Sequence, residues 1–306
     1  MRIERFRIQG FKSIVDLTVD GLSEINVFFG LNDVGKSNIF EALKLWRELL
    51  ERSQQVHVMS TQESQRLLRN NIFRLQEDLD IEFEVIFTIH QVKFRSNIYI
   101  RKADEIEYRN QLVVLRGGIF ENVNDENALL LSNLKLHLID AERRIQSEHR
   151  AKSSFPAVIN ANNLKQALFL AYLSPDTEQK KRFSAIKQIL TESPFELGEL
   201  DVAYNPENDE INIGFARLNS RLPIENLGSG VQQLLLILGQ IFLNDYPIIA
   251  VEEPEMNLSP QYQAQMMSTL ETLMQDPAVK LEQLFISTHS PYLEFTQNFY
   301  DVSYDA

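Results

Sequence analysis

The clearest feature of the chain is a change in the spacing of its apolar residues. Apolar and polar residues alternate from Ile81 to Ile89, and the alternation returns in shorter segments that end at Gly117 and Gly118. Such a period of two predicts an antiparallel meander with one buried face. Two further strands, joined by a bend at residues 10–13, are predicted at the start of the chain.

From residue 231 onward, continuous apolar runs alternate with segments of helical spacing. The pattern predicts helices at 231–242 and 260–274 and buried strands at 247–251 and 284–288. Buried strands that alternate with helices are typical of a parallel sheet covered on both faces.

The middle of the chain is predicted to be mainly helical. Helical spacing covers 127–150, 164–172 and 178–190, and a hairpin is expected between 200 and 215. We therefore divide the chain into three parts. Residues 1–119 and 226–306 form the two halves of an α/β core, and residues 120–225 form a helical lobe with a hairpin.

The charge composition bears on whether the protein binds nucleic acid. The net charge of −13 argues against a broad DNA-coating surface, which needs clustered Lys and Arg. A local basic groove formed by Arg2, Arg5, Arg7 and Lys12 is the alternative to scattered charges on an edge strand.

The composition also bears on the cellular compartment. The absence of Cys excludes disulfides and thiolate metal sites. There is no apolar signal segment at the N-terminus, and the longest apolar stretch is too short to cross a bilayer. We expect a soluble, cytoplasmic protein that does not bind membranes.

Residues 30–37 read Gly-Leu-Asn-Asp-Val-Gly-Lys-Ser, which matches the phosphate-loop pattern G-x-x-x-x-G-K-[ST]. An apolar run of strand type precedes the loop, and helical spacing follows it. The backbone N–H groups and the helix start attract phosphate. Lys36 adds a charge, and Ser37 adds a hydroxyl for Mg²⁺. The segment predicts a nucleoside triphosphate site.

Three other segments carry groups that a nucleotide hydrolase needs. Glu252 and Glu253 follow an apolar strand, where one acid can support Mg²⁺ and the other can polarise water; the alternative is a solvated sheet edge. Ser229 and Gly230 stand in a Gly-Ser-Gly turn before a helix, which is either a second anion nest or a capping loop. His289 ends the last buried strand, where a histidine is either structural or within reach of the γ-phosphate.

In their order along the chain, these motifs resemble the ABC-type ATPase head, in the branch shared by SMC, RecF-like and OLD proteins. Residues 30–37 match the Walker A loop, 227–232 the signature loop, 251–255 the Walker B segment and 288–291 the switch histidine. The Glu-Glu-Pro-Glu and Thr-His-Ser-Pro forms are especially similar to OLD proteins. The resemblance implies an α/β P-loop NTPase fold with a mixed central sheet, an antiparallel β subdomain and a helical lobe.

The resemblance also implies a role for each site residue. Lys36 would bind the β- and γ-phosphates, Glu253 would be the general base, and His289 would sense the γ-phosphate. Ser37 and Glu252 would hold Mg²⁺. The implied contacts to ATP are Gly30, Asn32, Gly35, Lys36, Ser37 and Asn38, with Ser229 and Gly230 supplied by the other subunit of a homodimer or higher oligomer.

The function implied is an ATPase that controls a DNA-directed or toxic effector, as in anti-phage defence. OLD proteins carry a C-terminal nuclease domain, and the chain ends soon after His289. We therefore expect that a nuclease or toxin is either a separate protein or absent from this sequence. Two alternatives are a RecF- or SMC-like repair ATPase that acts directly on nucleic acid, and an ATP-gated scaffold with little turnover. A transporter subunit fits less well, because the segment between Ser37 and Leu227 is too long.

Overall fold

A computed structural model of the chain describes residues 1–31, 34–50, 56–60, 62, 80–102, 106–141, 145, 154–192, 195–217, 220–276, 279–291 and 298–302. The chain divides into two compact units. The first unit comprises Met1–Leu138, Glu282–His289 and Phe295–Ala306, and the second comprises Ile139–Leu281 and Ser290–Glu294. The predicted division into three parts stays a prediction.

The described residues form fifteen strands and six α-helices. The strands are β1 (Arg2–Phe11), β2 (Ile14–Val19), β3 (Ile25–Phe29), β4 (Val56–Val58), β5 (Ile81–Ile89), β6 (Val92–Lys102), β7 (Ile106–Arg116), β8 (Ile119–Asn122), β9 (Leu136–Ile139), β10 (Glu199–Asn205), β11 (Glu210–Arg217), β12 (Ser220–Pro223), β13 (Ile248–Glu252), β14 (Gln283–Thr288) and β15 (Asn298–Asp301). The helices are α1 (Lys36–Leu50), α2 (Asp125–Leu130), α3 (Leu164–Leu173), α4 (Thr177–Thr191), α5 (Ser229–Leu243) and α6 (Pro260–Leu273).

The first unit contains a seven-stranded antiparallel sheet in the order β2-β1-β5-β6-β7-β4, with β8 also paired to β7. The meander predicted from the alternation is confirmed as β5, β6 and β7, which pair in sequence order. The two N-terminal strands extend this sheet, because β1 pairs with β5 with Phe6 opposite Val85. Their alternating apolar residues therefore bury one continuous face.

A second group of strands in the first unit is parallel. Strand β3 pairs with β14 on one side and β15 on the other, with Val27 opposite Ile286 and Phe299. Every residue of β14 is buried, as expected for a parallel strand covered on both faces. Helix α1 follows β3 and buries Phe40, Trp46 and the other apolar residues of one face.

One predicted element is wrong. The helix expected over 127–150 ends early, because α2 stops at Leu130 and the chain then forms strand β9. Asn124 caps α2 by accepting a hydrogen bond from the Asn127 N–H.

The second unit holds the four longer helices that follow β9. Helix α4 packs on both α3 and α5, and β10, β11 and β12 form an antiparallel sheet in sequence order. Helix α5 is buried on almost all sides from Gln233 to Leu243, which explains its continuous apolar sequence. Helix α6 starts at a Ser259 cap followed by Pro260, an arrangement that favours helix initiation. Within the described ranges, no helix is long and apolar enough to span a membrane.

Candidate nucleotide-binding site

The phosphate loop, residues 30–37, begins where β3 ends. The Gly30 N–H donates to the Thr288 carbonyl at 3.3 Å, and the Val302 N–H donates to the Phe29 carbonyl at 2.7 Å. These bonds continue the pairing of β3 with its two neighbours, so the entrance to the loop is held by the sheet. Helix α1 then starts at Lys36. Asn32, predicted to contact nucleotide, lies outside the described residues.

Two glycines allow the loop to follow this path. Gly35 has φ +98°, and a Cβ at this position would lie 2.6 Å from the Ser13 hydroxyl oxygen. A Cβ on Gly30 would lie 2.5 Å from the Val302 carbonyl oxygen. Both contacts are far shorter than van der Waals distance, and L-residues rarely adopt the Gly35 conformation. The glycines of the motif are therefore required by its immediate surroundings.

Lys36 lies at the start of α1 and is 5% exposed. Its ammonium donates to the carbonyl oxygens of Gly30 and Leu31, each at 2.7 Å. The first helical turn has no acidic residue, so the charge of Lys36 and the positive helix end act together. This end of α1 is suited to hold phosphate oxygens.

Asn38 and Ser13 fix the loop from the outside. The Asn38 amide donates to the Ser13 hydroxyl oxygen at 2.7 Å, and the neighbouring Lys12 forms an ion pair with Glu41 on α1. The turn between β1 and β2 is thereby attached to the start of α1. Ser13 was not among the predicted site residues, although its segment was predicted to form the bend between the first two strands.

His289 follows β14 directly and is exposed, whereas Thr288 before it is fully buried. Thr288 stands opposite Phe29 in the parallel pair of β14 and β3. Because parallel strands end at the same edge of the sheet, the first unit brings His289 and the phosphate loop to one edge, where open α/β sheets bind ligands.

The second unit holds the acidic turn, residues 252–258. Glu252 ends the fully buried strand β13, and its carboxylate accepts a hydrogen bond from the Ala141 N–H at 3.4 Å. Glu253 has φ +42°, which is strained for a non-glycine residue and typical of functional turns. Its carbonyl accepts from the Met256 N–H at 3.0 Å, so the chain reverses directly after the paired acids.

The signature turn, residues 227–232, lies against the acidic turn. Ser229 is exposed at the first position of α5, and Gly230 is buried beside it. A Cβ on Gly230 would lie 2.6 Å from the Asn257 carbonyl oxygen. The second unit therefore brings Ser229 and Gly230 together with Glu252 and Glu253. That Glu252 and Glu253 converge with Lys36 and His289 on one nucleotide, with Ser229 and Gly230 of a second subunit closing over it, stays a prediction.

The residues predicted to hold Mg²⁺ have suitable chemistry. Ser37 is an exposed residue with a hydroxyl group, and Glu252 is a carboxylate residue with 8% exposure. Mg²⁺ prefers oxygen ligands and usually takes only one or two from the protein, the remainder being water and phosphate. No group of three or more His, Asp or Glu side chains in the part of the chain that the structure describes could hold a metal alone.

The N-terminal basic residues are occupied by local partners. Arg5 pairs with Asp20 and Glu84, and Arg7 pairs with Asp16 at 2.6 Å. The hydrogen bond from Arg7 lowers the pKa of Asp16. Together with the pair formed by Lys12, these contacts favour separate surface ion pairs over a basic groove.

Comparison with known proteins adds three findings. The family described as "AAA domain, putative AbiEii toxin, Type IV TA system" matches residues 25–293. An uncharacterized protein of Methanocaldococcus jannaschii is 23% identical over 211 residues, which cover 63% of this chain and 25% of that protein. The matched segment therefore spans about a quarter of that relative's length.

The third finding concerns solved structures. The Smc head domain of Pyrococcus furiosus, solved with an extended coiled coil and bound to the C-terminal domain of ScpA, has 12% identity and a TM-score of 0.50 over 95% of this chain and 90% of that one. The SMC head domain of Thermotoga maritima has 13% identity and a TM-score of 0.46 over 96% and 91% of the two chains. At this level of identity, the likeness to the Pyrococcus head is a likeness of fold.

Proposed function

The chain belongs to the family of AAA domains described as "putative AbiEii toxin, Type IV TA system" and has the fold of an ABC-type ATPase head; from this premise we propose that it is a Mg²⁺-dependent ATPase that works as a dimer enclosing two nucleotides. The predicted α/β P-loop class is confirmed, and membership of the family supports ATP binding and hydrolysis in general terms. The remaining proposals concern residues, assembly and effector.

The geometry of the phosphate loop is the observation that carries the proposal. Lys36 is buried at a helix start, where its ammonium reaches two loop carbonyls. We propose that phosphate oxygens of ATP replace the two carbonyls as partners of the Lys36 ammonium. The backbone N–H groups of the loop, from Gly30 to Asn38, would bind further phosphate oxygens. Asn32 remains part of this proposed set.

The proposed chemistry uses three side chains. Glu253 accepts a proton from the water that attacks the γ-phosphate, and the products are ADP and phosphate. His289 lies at the edge of the sheet beside the loop and would hydrogen-bond the γ-phosphate. Ser37 and Glu252 would hold Mg²⁺, which when bound offsets negative charge on the phosphate oxygens.

The dimer is proposed from the signature turn. Ser229 is exposed at a helix start whose first turn has no acidic residue, and such a start attracts anions. One nucleotide does not need both this turn and the phosphate loop of the same chain. In a symmetric dimer, Ser229 and Gly230 of each subunit would contact the nucleotide of the other subunit, so that both sites would be completed.

The description of the family names a putative toxin and a toxin–antitoxin system, which supports a role in a system of this type. We propose that the ATP state of the dimer controls a nuclease or toxin protein in anti-phage defence, as in systems similar to OLD ATPases. A RecF-like role with direct DNA binding has less support, since Arg5, Arg7 and Lys12 are each paired with carboxylates.

Replacement of Glu253 by Gln tests the proposal. The amide cannot accept the proton, so we expect hydrolysis to fall by about 100-fold or more, while ATP is still bound and the dimer persists in size-exclusion chromatography with ATP and Mg²⁺. The matched control is Glu207→Gln, an exposed acid in the turn between β10 and β11. If the wild type and Glu253→Gln hydrolyse ATP at the same measurable rate, Glu253 is not the general base. If neither protein hydrolyses ATP measurably, the ATP-gated scaffold is favoured.

A further inference from the structure

One buried amide connects helix α5 to both ends of the acidic turn. Gln233 lies one turn into the helix and is 1% exposed. Its Nε2 donates to the Glu253 carbonyl at 3.2 Å, and its Oε1 accepts from the Asn257 amide at 3.4 Å. A glutamine amide offers both a donor and an acceptor, so one side chain satisfies a partner at each end of the turn.

Both partners of Gln233 have a left-handed backbone. The φ angle is +42° at Glu253 and +62° at Asn257. This conformation is tolerated by Asn but costs energy for Glu, and such strain persists only where the surroundings hold it. Gln233 supplies part of that support, because its Nε2 fixes the backbone carbonyl of Glu253 and its Oε1 holds the side chain of Asn257.

The start of the same helix also contacts the turn. Gly230 is so close to the Asn257 carbonyl that a Cβ would lie 2.6 Å from the oxygen. The Leu258 side chain is a second neighbour, 3.0 Å from the same Cβ position. Because packed elements of this kind shift together, a displacement of Gly230 is passed to Asn257 and, through Gln233, to Glu253.

We infer that Gln233 is a positioning residue that couples the signature turn to the general base. The inference rests on the proposed function, in which Ser229 and Gly230 hold the nucleotide of the other subunit and Glu253 acts on the nucleotide of its own subunit. The bridge formed by Gln233 therefore links the two nucleotide sites of the dimer. Closure on one nucleotide sets the position of the base for the second, and hydrolysis is cooperative in ATP.

The first test does not require turnover. Gln233→Met keeps the length and the burial of the side chain but removes both hydrogen bonds. In the full chain without nucleotide, we expect amide hydrogen exchange in residues 253–258 to accelerate by about fivefold, since each lost bond contributes modestly to local stability. The control is Gln188→Met, an exposed glutamine on α4 whose amide contacts Glu192. Unchanged exchange in 253–258 would overturn the inference, whether or not the wild type hydrolyses ATP.

The second test separates positioning from binding. With ATP and Mg²⁺, Gln233→Met should lower kcat by about tenfold and bring the Hill coefficient for ATP down to about 1, with little change in the affinity of the protomer for nucleotide. A kcat and a Hill coefficient equal to those of the wild type would refute the coupling. A wild type that does not hydrolyse ATP would instead contradict the proposed function, and hydrogen exchange would then decide the role of Gln233.

Asn257→Gly is the companion variant if Gln233→Met folds poorly. Glycine adopts the left-handed conformation without strain, so the backbone of the turn is kept while the bond to the Gln233 Oε1 is lost. We expect the same changes at roughly half the size, since the bond to the Glu253 carbonyl remains. A wild-type exchange rate and Hill coefficient in this variant would also count against the bridge.

Discussion

The phosphate loop of the first unit and the acidic turn of the second are held in different ways. In the loop, the central charge is bound by its own segment, since Lys36 donates to Gly30 and Leu31. In the acidic turn, both paired acids also accept bonds from residues far along the chain: Gln233 donates to the Glu253 carbonyl and Ala141 to the Glu252 carboxylate. The position of the Lys36 charge therefore depends on residues of its own loop, whereas the positions of the paired acids also depend on how the second unit packs.

Two further contacts in the second unit connect helix α3 to the signature turn and to helix α5. Lys165 on α3 is 1% exposed and forms an ion pair with Glu225, just before the signature turn. Leu164 on the same helix fills the space above Gly239, where a Cβ would collide with it. Helix α5, which begins in the signature turn, thus packs against α3, and changes in α3 should reach the acidic turn through α5.

The largest effect is expected for a change in the phosphate loop, measured as the affinity for ATP. Lys36→Met removes the only side-chain cation of the loop's described part and leaves the rest of α1 unchanged. We expect the Kd for ATP to rise by about 100-fold, because charge-assisted contacts to phosphate are among the strongest polar interactions. Isothermal titration measures it.

Lys44→Met is the control for this loss, since Lys44 is exposed on the same helix. It should leave the affinity within about twofold of the wild type. If Lys36→Met bound ATP as tightly as Lys44→Met, the loop would not be the phosphate site.

The same contrast explains what could be predicted from the sequence. The loop, the meander and the buried strands were predictable because their signals are local: glycine positions, a period of two and continuous apolar runs. Ser13 and Gln233 were missed because their roles come from contacts with Asn38 and Glu253, which tertiary packing brings near. Strand β9 was read as helix, since a strand of four residues is too short to show a period.

Gly35→Ala tests how strictly the loop depends on its own backbone. We expect a loss of about 2–3 kcal/mol in the free energy of unfolding, from the left-handed φ and the collision with the Ser13 hydroxyl. Urea unfolding followed by circular dichroism measures it. Gly117→Ala is the control, because Gly117 has φ +55° and open space around it. It should lose only about 1 kcal/mol, the cost of the backbone angle alone. Equal losses of stability in the two variants would mean that the Ser13 side chain moves away from the new Cβ without an energetic cost.

Glu225→Gln tests the long-range support of the signature turn. The change leaves the buried Lys165 ammonium without its carboxylate, and we expect about 1–2 kcal/mol less stability, a value reduced because Glu225 is 44% exposed. Lys165→Met removes the buried charge itself and should cost less, since an apolar side chain of similar length can replace a buried ion. Chemical unfolding of both variants gives the comparison. A larger loss of stability in Lys165→Met than in Glu225→Gln would show that the packing of the Lys165 side chain matters more than its charge pair.

The smallest effect is expected from Asp245, which follows α5 and binds Arg182 of α4 at 2.7 Å and Lys280 at 3.2 Å. Burial alone would raise the pKa of Asp245, but the hydrogen bonds from Arg182 and Lys280 outweigh it and lower the pKa. Because the folded-state pKa lies below the unfolded value, the stabilisation is present above about pH 4 and is lost as the pH falls through the folded-state pKa. Asp245→Asn should therefore cost at most about 1 kcal/mol at pH 7, since the carboxylate is half exposed, and nothing at about pH 2. Thermal unfolding of the wild type and of Asp245→Asn between these pH values measures the difference in stability. If the difference remained at about pH 2, the cause would be poor packing of the new amide and not the loss of a charge pair.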